Sequence, residues 1–139
     1  MSFGVNETLR NAQLNVLRDA IDAGGAAGKL LIYDNTGARP NTGEAPGTCV
    51  LLATLTMSYP CAPDAADGEL NFAAISDETD APAGGTALWG RFTSSTDTFV
   101  ADADVGVLTS DAVIRMNSVT VSEGGIVRVN TGKLTSVNP

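Results

Sequence analysis

Carboxylates are the most numerous side chains in this sequence that could do chemistry. The chain has 16 Asp and Glu against 8 Lys and Arg, and a strand would place Asp102 and Asp104 on one face because alternate residues point the same way. With a loop carboxylate they could form an oxygen-rich calcium site, although the spacing differs from the helix-loop-helix calcium loop. The alternative is that these acids, with the cluster at residues 77–80, are solvated charges that keep the surface soluble.

The sequence has no histidine, and this excludes several kinds of active site. Ser-His-Asp and Cys-His nucleophiles, His-ligated zinc and a histidine pH switch all require that residue. Two carboxylates could act as a glycosidase pair, but an aromatic content of 5% leaves few rings to stack on a sugar. The glycine pairs of the chain lack the spacing of a phosphate loop. We therefore predict a protein that is not an enzyme, with no catalytic residue, metal or cofactor.

The two cysteines, Cys49 and Cys61, could form disulfides only under a geometric restriction. A strand over residues 49–57 carries the chain about 26 Å, and the four residues that follow return about 13 Å, whereas a disulfide tolerates a Cα separation of about 7 Å. We therefore predict no bond between them within one chain. They are either buried free thiols or partners for cysteines of other chains after exposure to oxygen. Cys61, between Pro60 and Pro63, is expected to be the more exposed.

Length and charge limit the number of domains and the class of partner. The 139 residues fit a single domain, 1–139. The net charge of −8 opposes binding to nucleic-acid phosphates or to an anionic membrane. No apolar run reaches the length of a membrane span, and the first residues lack the pattern of a secretory signal. We expect a chain made in the cytoplasm, with neither nucleic acid nor membrane as a partner.

A helix is predicted at the N-terminus, over about residues 6–23, because apolar residues recur there at three- and four-residue steps. Asn6 suits the N-cap, and Gly24-Gly25 suits the end. The apolar stripe consists of Leu9, Ala12, Val16, Ala20 and Ala23, widened by Leu14, Leu17 and Ile21. Of these, we expect Leu9, Leu14, Val16 and Leu17 to lie in the core or at a subunit interface.

The rest of the chain has the short period and frequent turn residues typical of strands. The predicted strands cover residues 29–34, 49–57, 69–75, 86–93, 98–104, 112–121 and 126–137. Turns at 94–97 and 123–125 predict two hairpins, and the apolar strand at 49–57 should be central or covered on both faces. We predict an antiparallel β-sandwich of about seven strands over residues 29–137, preceded by the helix. Trp89 should pack in the core or at an interface, the alternative being a platform for a ligand.

Several segments, in order, resemble one protein family along nearly the whole chain. They are LRNAQLNVLRDAIDAGGAAGKLLIYDNTGARPNTG, LLATLTMS, GELNFAAIS, GGTALWGRF, VADADVGVLTSD and VTVSEGGIVRV. In this order they are similar to the small structural proteins of tailed bacteriophages and prophages. The chain departs from that family's pattern in carrying both cysteines.

The resemblance implies a virion component assembled in the cytoplasm of a bacterial host. The leading expectation is a homo-oligomeric capsid decoration or cement protein, whose partners are copies of itself and the major capsid protein. Disulfides from Cys49 or Cys61 to neighbouring subunits would add kinetic stability to the particle. Neck, collar and tail positions belong to the same class. A carbohydrate- or protein-binding β-sandwich module is the alternative from another class.

Overall fold

The computed structural model describes residues 3–136, and one helix, α1 (Glu7–Ile21), opens this part of the chain. The Asn6 side chain caps it by accepting the backbone N–H of Leu9 at 2.8 Å. Asp22 ends the helix, and Gly24 follows with a φ of 92°, a left-handed conformation that glycine adopts without strain. The predicted N-terminal helix is therefore confirmed, together with its cap.

Within residues 3–136, eight strands form one mixed sheet. They are β1 (Lys29–Asp34), β2 (Leu51–Thr56), β3 (Glu69–Asn71), β4 (Gly85–Thr93), β5 (Phe99–Val107), β6 (Ile114–Met116), β7 (Thr120–Val121) and β8 (Thr131–Thr135). The strand order is β2-β1-β4-β5-β6-β8-β3, and β7 pairs with the start of β4. The mainly β class is thus confirmed, whereas a sandwich of two separate sheets is not.

The sheet curls over itself. In the strand order β3 lies four strands from β4, which would separate them by about 19 Å in a flat sheet. Phe72, directly after β3, nevertheless stacks on Phe92 of β4 with ring centroids 5.0 Å apart. Ile114 of β6 packs over Gly90 of β4, where its Cδ1 lies 2.7 Å from the position of an added Cβ. The core therefore lies between strands of the same sheet.

The prediction that all strands pair antiparallel is wrong for β5 and β6. These two strands run parallel, with Val105 opposite Ile114. The physical reason is local. Ser110 turns the chain back by bonding to the carbonyl of Val107, and the Asp104 carboxylate accepts the N–H of Val113 at 2.9 Å, so the chain enters β6 in the direction of β5. By contrast, the predicted hairpin of β4 and β5 around residues 94–97 is confirmed.

The predicted strand at 112–121 is broken, and the one at 126–137 is shorter than expected. The break falls at Asn117 and Ser118, residue types that favour turns, and β7 then leaves to pair with β4. The turn at residues 123–125 forms, but it packs on Ala81 instead of joining a local hairpin. Residues 126–130 precede β8, and the predicted end at residue 137 lies outside the described part.

Two earlier strands also differ from their predictions. The strand predicted at 49–57 is β2, which ends the strand order and is not central. Leu52 and Ala53 are both buried, but the pairing with β1 is irregular at this point, and Thr54 and Thr56 are half-buried and exposed, so the second face is only partly covered. The strand predicted at 69–75 ends at Asn71, because the N–H of Ala73 turns away to bond the carbonyl of Cys61 at 2.8 Å.

Candidate functional site

The two cysteines are free and buried. Cys49 is 8% exposed and Cys61 is 0% exposed, so the expectation that Cys61 is the more exposed is wrong. Its loop is drawn onto the helix because the Asp22 carboxylate accepts the backbone N–H of Cys61 at 3.0 Å. Both thiols face carbonyl oxygens of their own chain, that of Arg18 for Cys61 and those of Gly37 and Ala38 for Cys49. Bonding to another chain would therefore require local opening.

The environment of Cys61 also makes it a poor nucleophile. Burial, followed by the charge of Asp22 and a hydrogen bond with it, raises the pKa of the Cys61 thiol to about 12. Because the thiolate is the reactive form, little of it is present near neutral pH.

We expect Cys61 to react with a thiol reagent much more slowly than Cys49 in the native protein at pH 8, and both to react at once after unfolding. Mass spectrometry of the protein after timed labelling identifies the modified cysteine. Rapid modification of native Cys61, at the rate of a free cysteine, would contradict this arrangement.

One face of α1 holds the loop that contains Cys61. The amide oxygens of Asn11 and Asn15 accept the N–H groups of Gly68 and Ala65, at 2.9 and 2.8 Å. Arg18 reaches the Asp64 carboxylate at 2.6 Å in an exposed contact. The polar residues at positions 11, 15, 18 and 22 recur at three- and four-residue steps, which is the spacing of one helix face. This polar face could therefore have been predicted from the sequence, but the apolar residues between these positions drew the prediction to another face.

The apolar residues of α1 lie on two faces. Leu14 and Ile21 are buried and Leu17 packs against them, as expected for the core. Leu9 is 49% exposed and Val16 is 68% exposed, so neither belongs to the core of this chain. The side of the helix that carries Leu9 and Val16 therefore faces outward, because the helix turns Leu14 and Ile21 towards the core and its polar face towards the loop at residues 61–68.

Trp89 belongs to the core, and the alternative of a ligand platform is wrong. Its side chain is 0% exposed and stacks on Tyr33, with ring centroids 4.5 Å apart. The Arg91 guanidinium lies 5.2 Å from the Trp89 ring and 5.1 Å from the Phe99 ring. The indole N–H has no hydrogen-bond partner within the described residues.

Arg91 and Asp102 form a buried ion pair beside Trp89. Arg91 donates to both Asp102 oxygens, at 2.7 and 2.9 Å, and to the carbonyl of Glu44 at 2.7 Å. Asp102 also accepts the N–H of Gly43 at 3.0 Å. The pair therefore fastens the loop between β1 and β2 onto the sheet. Burial by itself raises the pKa of Asp102, but the bonds from Arg91 and Gly43 outweigh it and hold that pKa below its usual range.

These contacts bear on the calcium hypothesis. Asp102 is engaged by Arg91, and Asp104 accepts the N–H of Val113. Within residues 3–136, no three acidic, cysteine or histidine side chains come together in a way that could hold a metal ion. Asp102 thus holds the loop between β1 and β2, and Asp104 holds the residue that precedes β6.

A cleft of about 580 Å³ lies between residues 71–77 and 128–133, and we call it the β3–β8 groove. Arg115, Arg128 and Lys133 are on its walls, and Phe72 is among its apolar lining residues. No pattern in the sequence marks this cleft. Its three cations are 13 and five positions apart in the chain and come together only because β6 and β8 are paired.

Comparison with known proteins finds no relative of this chain. No protein-family model matches the chain, and no match is found among curated proteins or solved structures. Among the described residues, no helix has the length and apolar character that a membrane span requires. The part of the chain that the structure describes is mainly β with one helix.

Proposed function

We propose that this chain is a non-enzymatic structural protein of a tailed-bacteriophage virion, present in many copies as a decoration protein on the capsid. Its partners would be copies of itself and the major capsid protein. Neck, collar and tail positions are alternatives within the same class. The proposal begins from the ordered sequence segments that resemble small phage structural proteins, and it gains support from two features of the fold.

The outward face of α1 is the observation that carries the proposal. Leu9 and Val16 are separated by two helical turns and lie on one side of the helix, away from the buried Leu14. Single exposed apolar residues are common, but a pair aligned on a helix that already has a core face offers a second packing surface. A subunit that contacts its neighbours in a lattice requires such a surface.

The way in which the loops are held also suits a structural component. The buried Arg91–Asp102 pair fastens the loop between β1 and β2. The polar face of α1 fastens residues 61–68. Loops held by several hydrogen bonds to regular elements lose less conformational freedom when the subunit enters an assembly, so less binding free energy is spent on ordering them.

Replacing Val16 by aspartate should weaken attachment of the chain to the particle by at least about tenfold, because it places a charge in an apolar contact. The measurement is quantitative mass spectrometry of purified particles assembled with the variant chain. Thr8→Asp is the matched control, since it adds the same charge at an exposed helix position outside this face.

Thr8→Asp should leave the copy number unchanged, and both variants should keep the melting temperature of the parent protein within a few degrees. Equal occupancy by the Val16→Asp chain would contradict the assignment of this helix face to subunit contacts. The alternative of a carbohydrate-binding module would have used Trp89, but that ring is fully buried and cannot stack on a glycan.

A further inference from the structure

We propose that the β3–β8 groove binds an extended acidic peptide segment of a partner protein. The groove is separate from the outward face of α1, so the inference does not rest on the proposed virion role. Its support comes from the shape of the cleft, its charge and its apolar lining.

The shape of the groove favours an extended chain over a compact ligand. Its two walls are backbone segments that pair with each other at both ends, Asn71 with Lys133 and Glu78 with Val127. Between these points they part, because Ser76 donates its backbone N–H to the carbonyl of Thr56 at 2.9 Å instead of to the opposite wall. Phe72 still donates its N–H to the carbonyl of Gly132 at 3.0 Å, so the opening spans residues 73–77, which corresponds to roughly 17 Å of extended backbone.

The charge of the groove is opposite to that of the protein. The chain has a net charge of −8 with only 8 Lys and Arg, yet Arg115, Arg128 and Lys133 line this one cleft, with Asp77 as its acidic member. Arg128 pairs with Asp77 at 2.7 Å and Lys133 pairs with Glu69 at 3.3 Å, both in solvent-exposed contacts. Arg128 donates to both Asp77 oxygens and stays engaged with them, whereas the single Lys133–Glu69 contact contributes little to stability, so a ligand carboxylate can replace Glu69 at low cost.

Arg115 is the cation most available to a ligand. In the described part of the chain it takes part in no ion pair, and its Nε donates only to the carbonyl of Ala112 at 3.1 Å. A guanidinium can hold a carboxylate by two parallel hydrogen bonds. Arg115 therefore provides a specific contact for an acidic side chain of the bound segment.

Apolar side chains complete the groove. Phe72, Ile75, Val113 and Val129 line it beside the cations, and all four are buried or half-buried. An extended peptide points alternate side chains in opposite directions. A segment that alternates acidic and apolar residues would therefore meet the cations with one set of side chains and the apolar lining with the other.

The test uses a dye-labelled hexapeptide of alternating glutamate and valine, titrated with the full chain and followed by fluorescence anisotropy. We expect saturable binding, weakened about tenfold by Arg115→Ala, since a charge-assisted hydrogen bond of this kind is lost. Arg39→Ala removes the same charge from an exposed site outside the groove and should change the dissociation constant less than twofold. Circular dichroism verifies that both variants are folded.

Four results would overturn the proposal. The first is that the parent chain does not bind the glutamate-valine peptide at millimolar concentration, and the second is that it binds a lysine-valine peptide equally well. The third is that Arg115→Ala and Arg39→Ala weaken binding of the glutamate-valine peptide equally. The fourth is that the parent chain binds single-stranded DNA more tightly than this peptide. Sedimentation of the chain alone tests whether a second copy of the chain occupies the groove. Self-association that Arg115→Ala abolishes would make a second copy the partner, and would also overturn the proposal of a foreign segment.

Discussion

Replacing Asp102 by alanine is expected to lower the free energy of unfolding by about 3–5 kcal/mol, because it leaves a buried guanidinium without its partner. The Arg91 and Asp102 side chains are only 10% and 1% exposed, and Asp102 also accepts the N–H of Gly43. The loss therefore includes a salt bridge and the attachment of the loop between β1 and β2. Urea unfolding of the two proteins at pH 7 measures the difference.

Asp64→Ala is the matched control for this prediction. Asp64 pairs with Arg18 at 2.6 Å, but its side chain is 86% exposed. The control should cost no more than about 1 kcal/mol. Equal effects of the two substitutions would show that the Arg91–Asp102 pair does not hold the loop as described.

The effect of Asp102 should also depend on pH in a definite direction. Because the pKa of Asp102 is lowered in the folded protein, its contribution to stability is complete above the unfolded-state pKa of about 3.9. That contribution is lost as pH falls further, through the folded-state pKa. The difference in stability between the parent protein and Asp102→Ala should therefore shrink below pH 4.

Replacing Trp89 by alanine is the second substitution with a large expected effect, about 3–5 kcal/mol, because it removes a fully buried ring and leaves a cavity. The ring stacks on Tyr33 and lies under the Arg91 guanidinium, so its loss also weakens the surroundings of the ion pair. Thermal and urea unfolding, followed by far-ultraviolet circular dichroism, measure the change.

Leu88→Ala serves as the control on the same strand. Leu88 precedes Trp89 on β4 but is 38% exposed, whereas Trp89 is fully buried. Truncation of Leu88 should cost about 1 kcal/mol. If Trp89→Ala were as mild as Leu88→Ala, the placement of Trp89 in the core would be contradicted.

The predictable parts of the fold were those fixed by local sequence. The helix and its cap at Asn6 follow from local periodicity and one side-chain oxygen, and β1 at Lys29–Asp34 from simple alternation. The parallel pairing of β5 and β6 depends on the Asp104 carboxylate, which captures the N–H of Val113. A residue that bonds a backbone group outside its own strand leaves no periodic signal.

The functional surfaces were less predictable, for related reasons. Apolar residues occur on two sides of α1, and only its contacts with the loop at residues 61–68 decide which side is buried. The groove cations Arg115 and Arg128 come from segments that meet only in the folded sheet. The burial of Cys61 likewise depends on Asp22, far away in sequence.

The most direct test of the proposed virion role is the copy number of this chain in purified phage particles, measured by quantitative mass spectrometry, with gels run with and without reductant. A capsid decoration protein should be present at on the order of hundreds of copies, since it covers a repeated lattice. Ladders that disappear with reductant would add disulfide links between subunits. A few copies per particle would instead indicate a neck or tail position and contradict the capsid assignment. Absence from the particles would contradict the virion role altogether.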